Sequence, residues 1–320
     1  MKKMLLLAIF SASVILSCTK RSALTGDAVL GESQASRLKI DVAPGATDSI
    51  TMDVAGDYVN TADDYLKNST TGMNYIADIQ GSGWLNGTHT TPVAIVKTSA
   101  ARFSNSYALR FSLPARSASI TYDQTEKDRL ESHILQGVPI SNFLNTVHYS
   151  GFSIMIPSGK GNAPDWCVIH QMWQSSPESP PISLNLLPGY PARLALSCLW
   201  GKDKAHSHGG FQTRVDNSSG DAFIDLPRNK WIDFIVKWKL DTAATGLTGV
   251  CAVYRHDFDA SGSTLIWNYG GHLGYSQVDN QHGINEKFGI YRKADSVNAL
   301  EIVYDQIRVG PTWASVQPWP

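Results

Sequence analysis

The segment 231–240 alternates with a period of two. Ile232, Phe234, Val236, Trp238 and Leu240 are apolar, Asp233, Lys237 and Lys239 are charged, and Ile235 breaks the pattern. Successive side chains of a strand point to opposite faces, so such a run lays one face on a core and turns the other to solvent or a cleft. A helix would instead repeat its apolar residues every three or four positions. Strand-like runs recur at 107–113, 151–157, 166–173, 182–187, 193–199, 250–255, 287–292 and 301–309, with Gly, Pro, Asn and Ser in the gaps. From about Asn74 onward no long stretch has a helical period, and no internal repeat is evident. Many short strands with few helices predict an all-β sandwich or barrel. A sandwich of roughly 200–250 residues folds as one unit, so residues 73–320 are expected to form a single domain.

The N-terminus has a different character. Lys2 and Lys3 precede a short apolar run from Met4 to Leu16, too short for a comfortable membrane span. It ends in Ile15-Leu16-Ser17-Cys18, which resembles the lipobox of bacterial lipoproteins. That resemblance implies removal of residues 1–18 as a signal peptide up to a lipidated Cys18. The protein would then be exported and anchored at the cell envelope, on the periplasmic or outer-membrane surface. Residues 19–40, rich in Ser, Ala, Gly and charge, suit a tether, and 41–72 are weakly patterned. Cys167, Cys198 and Cys251 sit in apolar runs and are expected to be small buried hydrophobes, since an odd number cannot all pair.

The formal net charge is -1, so no global field favours nucleic acid, and a polyanion would need a local basic cleft. Nine Trp and twelve Tyr suit sugar faces, but they suit ordinary cores as well. In 287–292, Phe288 and Ile290 share one face, while Lys287, Gly289 and Tyr291 share the other. Gly289 leaves room there for a ligand to approach the sheet.

This run resembles the strand near the end of the heparin lyase I-like and alginate lyase-like polysaccharide lyases. In those families a Tyr in a Lys-Phe-Gly-x-Tyr or similar motif lies in the catalytic cleft. Arg129-Leu130-Glu131 resembles their Arg-x-Glu motif, and Gln171-Met172-Trp173 resembles their Gln-x-His motif with Trp173 in place of His. The segments 231–234 and 303–309 also look like structural strands of the heparin lyase I-like group. The resemblance spans roughly Asn74 to Gly310, and its weight lies in the order of the short motifs. It implies a concanavalin A-like β-jelly roll, two stacked antiparallel sheets with a concave substrate cleft. By period-two logic Arg129, Glu131 and His133 share a face, as do Gln171 and Trp173, and Lys287 and Tyr291.

Such lyases cleave uronic-acid polymers by β-elimination. The proton at C5 leaves, charge builds on the carboxylate, and the C4 oxygen departs with a proton. Arg129 and Gln171 suit the carboxylate as a bidentate cation and an amide donor. Tyr291 suits proton donation, and with its own proton removed it suits the base as well. The motif His is missing, so His133 on the Arg129 face is the first alternative base, ahead of His148 and His272, while His170 should face away from Gln171. Lys287, Trp173, Glu131 and Arg292 complete the expected substrate contacts. The loop 201–210, with Lys202, Lys204, His206 and His208, would cover the cleft mouth or be a plain solvated turn. No cofactor is required, no metal site is expected, and calcium, known in some relatives, has no Asp-rich run to hold it. The expected state is a monomer that binds an acidic polysaccharide, with the membrane as partner through Cys18 and no nucleic acid. Two other functions share this fold: a non-catalytic carbohydrate-binding lipoprotein, and a jelly-roll glycoside hydrolase. The hydrolase would need paired carboxylates, commonly as Glu-x-Asp-x-x-Glu, which the chain lacks.

Overall fold

The computed structural model describes residues 50–51, 94–98, 102, 108–116, 127–138, 146–159, 165–174, 179–188, 192–201, 207–208, 223–241, 248–275 and 284–319. The leader with Cys18, the tether 19–40 and the basic residues Lys202, Lys204 and His206 lie outside the described residues.

Seventeen strands are described: β1 (Ile50–Thr51), β2 (Ala94–Thr98), β3 (Ala108–Leu113), β4 (Lys127–Val138), β5 (His148–Met155), β6 (Cys167–Trp173), β7 (Ile182–Leu187), β8 (Ala192–Cys198), β9 (Trp200–Gly201), β10 (Ser207–His208), β11 (Ile224–Leu226), β12 (Ile232–Lys239), β13 (Gly249–Asp257), β14 (Thr264–Gly271), β15 (Gly274–Tyr275), β16 (Ile284–Lys293) and β17 (Leu300–Gly310). One helical turn follows, α1 (Trp313–Val316), capped where the Thr312 side chain accepts from the Ser315 backbone. Every run expected from alternation falls on a strand.

Two antiparallel sheets make the sandwich. The first has eight strands, ordered β14-β13-β12-β5-β17-β3-β2, with β1 also paired to β17. The second has six, ordered β11-β8-β7-β6-β16-β4. The short β10-β9-β15 sheet stands apart. The fold is thus all-β with a jelly-roll arrangement. β1 belongs to the 41–72 stretch that alternation could not place, and it sets Ile50 against Val309 and Thr51 against Arg308.

The core lies between the inner faces. Phe152 of β5 meets Phe288 of β16 edge-on at 5.1 Å, and Phe288 meets Tyr304 of β17 at 5.9 Å. Ile232, Phe234, Val236, Trp238 and Leu240 are all buried there, as the alternation requires. Cys167, Cys198 and Cys251 are buried free thiols, and burial pushes the Cys167 thiol up to about 12.

The opposite face of β12 departs from the sequence expectation of solvent or cleft. Asp233 is buried and receives both Nε and Nη2 of Arg102, at 3.0 and 2.9 Å. Ser153 Oγ donates to the same carboxylate at 2.6 Å, and His256 Nδ1 lies 3.0 Å from it. Ile235 pairs with Gly151, where a Cβ would lie 1.9 Å from the Val316 carbonyl oxygen. The C-terminal turn packs on this spot, which explains the apolar exception in the alternation.

Candidate active site

The expected site motifs converge on three neighbouring strands of the six-stranded sheet, with β16 between β6 and β4. Lys287 stands opposite Gln171 on one side and His133 on the other. Gly289 stands opposite Glu131, and Tyr291 opposite Arg129. Directly opposed residues share a face. Phe288 and Ile290 fill the core on the inner face, so the motif residues occupy the outer one.

On that face the side chains form a connected line. Gln171 Nε2 donates to Glu131 Oε1 at 2.5 Å. Glu131 Oε2 lies 3.4 Å from Arg129 Nε. The Arg129 guanidinium sits 4.0 Å from the centroid of the Tyr291 ring, with Lys127 Nζ at 5.8 Å. Trp166 meets the Tyr291 ring edge-on at 5.0 Å. Beside this line, Lys287 Nζ lies 4.1 Å over the Trp173 ring. A cation over an aromatic face is held by the ring quadrupole, so each pair fixes both its members.

Burial differs along this line. Glu131 is 1% exposed, Lys287 2% and Gln171 3%. Arg129, Trp173 and Tyr291 are half-buried. Glu131 therefore acts as an orienting group. A carboxylate accepts only, so it holds the Gln171 amide with one N–H turned toward Glu131. β16 separates β6 from β4, and Gly289, which faces Glu131 without a side chain, leaves the way open for that contact.

Arg292 is not where the sequence reading put it. It is fully buried, with Nε 3.2 Å from Asp128 Oδ2 and its other nitrogens on the Asn298 and Pro114 carbonyls at 2.7 and 2.8 Å. It shares the inner face of Phe288 and Ile290, and a buried cation needs these partners to offset lost hydration. It closes the end of the sandwich and touches no substrate surface. Glu131, also expected to contact substrate, is covered by the two side chains it orients.

His170 faces the core as expected. Its ring packs on Phe152 and Phe288, at 5.0 and 4.7 Å, and its Nε2 lies 2.8 Å from Glu286 Oε1. Burial raises the Glu286 carboxyl pKa, and the His170 contact works against that rise. His148 lies in the other sheet with its ring 4.9 Å from Trp238, and His272 packs on Trp200 at 4.8 Å. The register places His133 on the site face, and its side chain lies outside the described residues.

Three residues join the site that sequence reasoning did not single out. Lys127 and Asn285 each sit two positions before a recognised residue, and period two alone could have found them. The third, Trp166, precedes β6, where alternation gives no guide. Asn285 stands opposite Trp173, is buried, and its Oδ1 has no hydrogen-bond partner among the described residues. Among the described residues no group of three or more His, Cys, Asp or Glu is arranged to hold a metal ion.

The catalytic domain of a glycoside hydrolase family 131 protein from Coprinopsis cinerea superposes with a TM-score of 0.51 at 14% identity, over 83% of this chain and 97% of that one. A PL-14 alginate lyase from Aplysia kurodai gives a TM-score of 0.49 at 12% identity, over 83% of this chain and 100% of that one. Likeness at such identities concerns the fold. No curated protein sequence matches the chain. Residues 76–308 match the family described as polysaccharide lyase, a span holding every strand of the site, and the chain belongs to that family.

Proposed function

We propose that the protein cleaves a uronic-acid-containing polysaccharide by β-elimination, in the manner of the heparin lyase I-like and alginate lyase-like enzymes it resembles. The observation that carries this reading is the alignment of Tyr291, Arg129 and Gln171 on one face, with Glu131 orienting the last two. Arg129 and the Gln171 amide meet the substrate carboxylate and the charge that grows on it as the C5–H bond breaks. Tyr291 gives its proton to the C4 oxygen as the C4–O bond breaks and the C4–C5 double bond forms. The C5 proton goes either to Tyr291 itself, deprotonated beforehand, or to His133. Trp173 offers a flat face to a sugar ring. The reading needs no metal, and it needs no second carboxylate as hydrolysis would.

The test is absorbance. β-Elimination leaves a double bond conjugated to the carboxylate, which absorbs in the ultraviolet, and hydrolysis leaves none. The soluble form beginning after Cys18 is expected to raise absorbance on one member of a panel of uronate polymers, and Tyr291→Phe to abolish the rise. Binding to a polymer without any rise would replace the lyase with a carbohydrate-binding lipoprotein.

The lipobox-like sequence supports a second part of the proposal: Cys18 carries a lipid that anchors the enzyme at the cell envelope. Labelled fatty acid supplied to expressing bacteria is expected to enter the parent chain and not Cys18→Ala. Equal labelling of both would remove the anchor.

A further inference from the structure

β6 and β16 are irregular where they pair. Phe288 stands opposite His170 and Tyr291 opposite Val168, so β16 advances three residues while β6 advances two. β6 is irregular against β7 as well, where Val168 stands opposite Asn185 and His170 opposite Leu184. An extra residue bends a strand and re-aims the side chains beyond it. β16 keeps unbroken register with β4 from Glu286 to Lys293, so the break in alternation lies in β6, where Ile169 and His170 both face the core, and its position decides whether Gln171 points outward.

Apolar contacts are non-directional. Met172, Phe288 and Ile290 would pack almost as well with the extra residue moved along the strand. Two directional contacts stand on the inner face at this place. On the near side of the bulge, His170 Nε2 lies 2.8 Å from Glu286 Oε1, both groups being fully buried. At the bulge, the Tyr304 hydroxyl from the opposite sheet lies 2.6 Å from the Ile169 carbonyl and 3.1 Å from that of Gly289. Those two carbonyls belong to the irregular residues of β6 and β16. Burial raises the Tyr304 pKa well above its ordinary value, so its proton stays in place for them.

We propose that His170, Glu286 and Tyr304 form a register lock, a set of inner-face positioning residues that pins the break in β6 at Ile169–His170 and so keeps Gln171 on the outer face opposite Lys287. A buried polar pair adds little to stability, and fixing register is the best-attested use of such pairs. Without the lock the break migrates along β6 past Gln171, which then turns inward and loses its place opposite Lys287. In its catalytic readout the inference rests on the lyase reading above.

The test compares the parent with the double variant His170→Leu/Glu286→Leu and with Glu286→Gln, which keeps a neutral acceptor for His170. The leucine pair is expected to melt within a few degrees of the parent or higher, yet to lose kcat by about tenfold or more, as misplacement of an ångström can do, with KM changed much less. Glu286→Gln is expected to keep most of the parental kcat. Independently of activity, nuclear Overhauser contacts between the Gln171 and Lys287 backbones are expected in the parent and lost in the leucine pair. Parental contacts in the leucine pair overturn the lock, as does a Glu286→Gln variant as damaged as the leucine pair. If the leucine pair does not fold, Tyr304→Phe carries the same expected losses, and parental contacts in it overturn the lock. A parent with no eliminase activity refutes the lyase reading, while the backbone contacts still decide the lock.

Discussion

Gly289 looked, from sequence, like room for a ligand between Lys287 and Tyr291. In the fold that room is taken by the neighbouring strand. Its φ is +142°, and a Cβ there would lie 2.2 Å from the Leu130 carbonyl oxygen and 2.7 Å from the Glu131 Cα. Both obstacles are backbone, so no rotamer change relieves them. The position needs glycine for its conformation and for the approach of β4, which carries Arg129 and Glu131. Gly289→Ala is expected to destabilise the fold by about 1–3 kcal/mol from backbone strain alone. The clash adds to this and pushes β4 outward. The expected result is a lower thermal midpoint together with a loss of kcat larger than the loss of stability explains, because Arg129 leaves the Tyr291 ring. A variant with parental melting and parental turnover would show that β4 is not held at this point.

At the scale of elements, the strands were legible because burial of one face imposes a period of two, as in Phe288 and Ile290 against Lys287 and Tyr291. Elements without that constraint were not legible. β14 lies at the end of the eight-stranded sheet, and its Asn268 and Gly270 face solvent while Ile266 and Trp267 are adjacent and both buried. A register shift between Val253 and Tyr254 of its partner strand accompanies that break in alternation. The irregularity in β6 was hidden for a related reason, since a spare residue changes pairing without changing composition. Arg292 was misassigned because a basic residue beside a site motif resembles a substrate contact. Its partner Asp128 is 164 positions away in the chain, and only the pairing of β4 with β16 brings them together. The Gln171–Glu131 contact was equally hidden. Each residue belonged to a recognised motif, but that they meet depends on one strand, β16, lying between theirs.

At the scale of the whole molecule, 27 Lys and Arg stand against 28 Asp and Glu, so attraction of an acidic polymer has to come from local charge. The fold sorts its charges toward that end. Arg102 is buried against Asp233, and Arg116 and Arg292 share Asp128 at 2.6 and 3.2 Å. These cations are matched close at hand and contribute little to the field at the site face. Lys127 and Arg129 stand half-buried beside Tyr291, on the face where the proposed substrate would bind. Glu131 is already engaged by Gln171 and Arg129. The chemical step, by contrast, occurs between groups in contact, where mobile ions do not intervene. Ionic screening therefore separates the two. The screening length is about 10 Å at 0.1 M salt and about 3 Å at 1 M. Raising salt across that range on the cleaved polymer is expected to increase KM by about tenfold while kcat stays within about twofold, as for steering charges at a rim. Lys127→Ala is expected to flatten that dependence and leave kcat near the parental value. A KM that does not move with salt in the parent would mean that hydrogen bonds and stacking on Trp173 hold the polymer without help from charge.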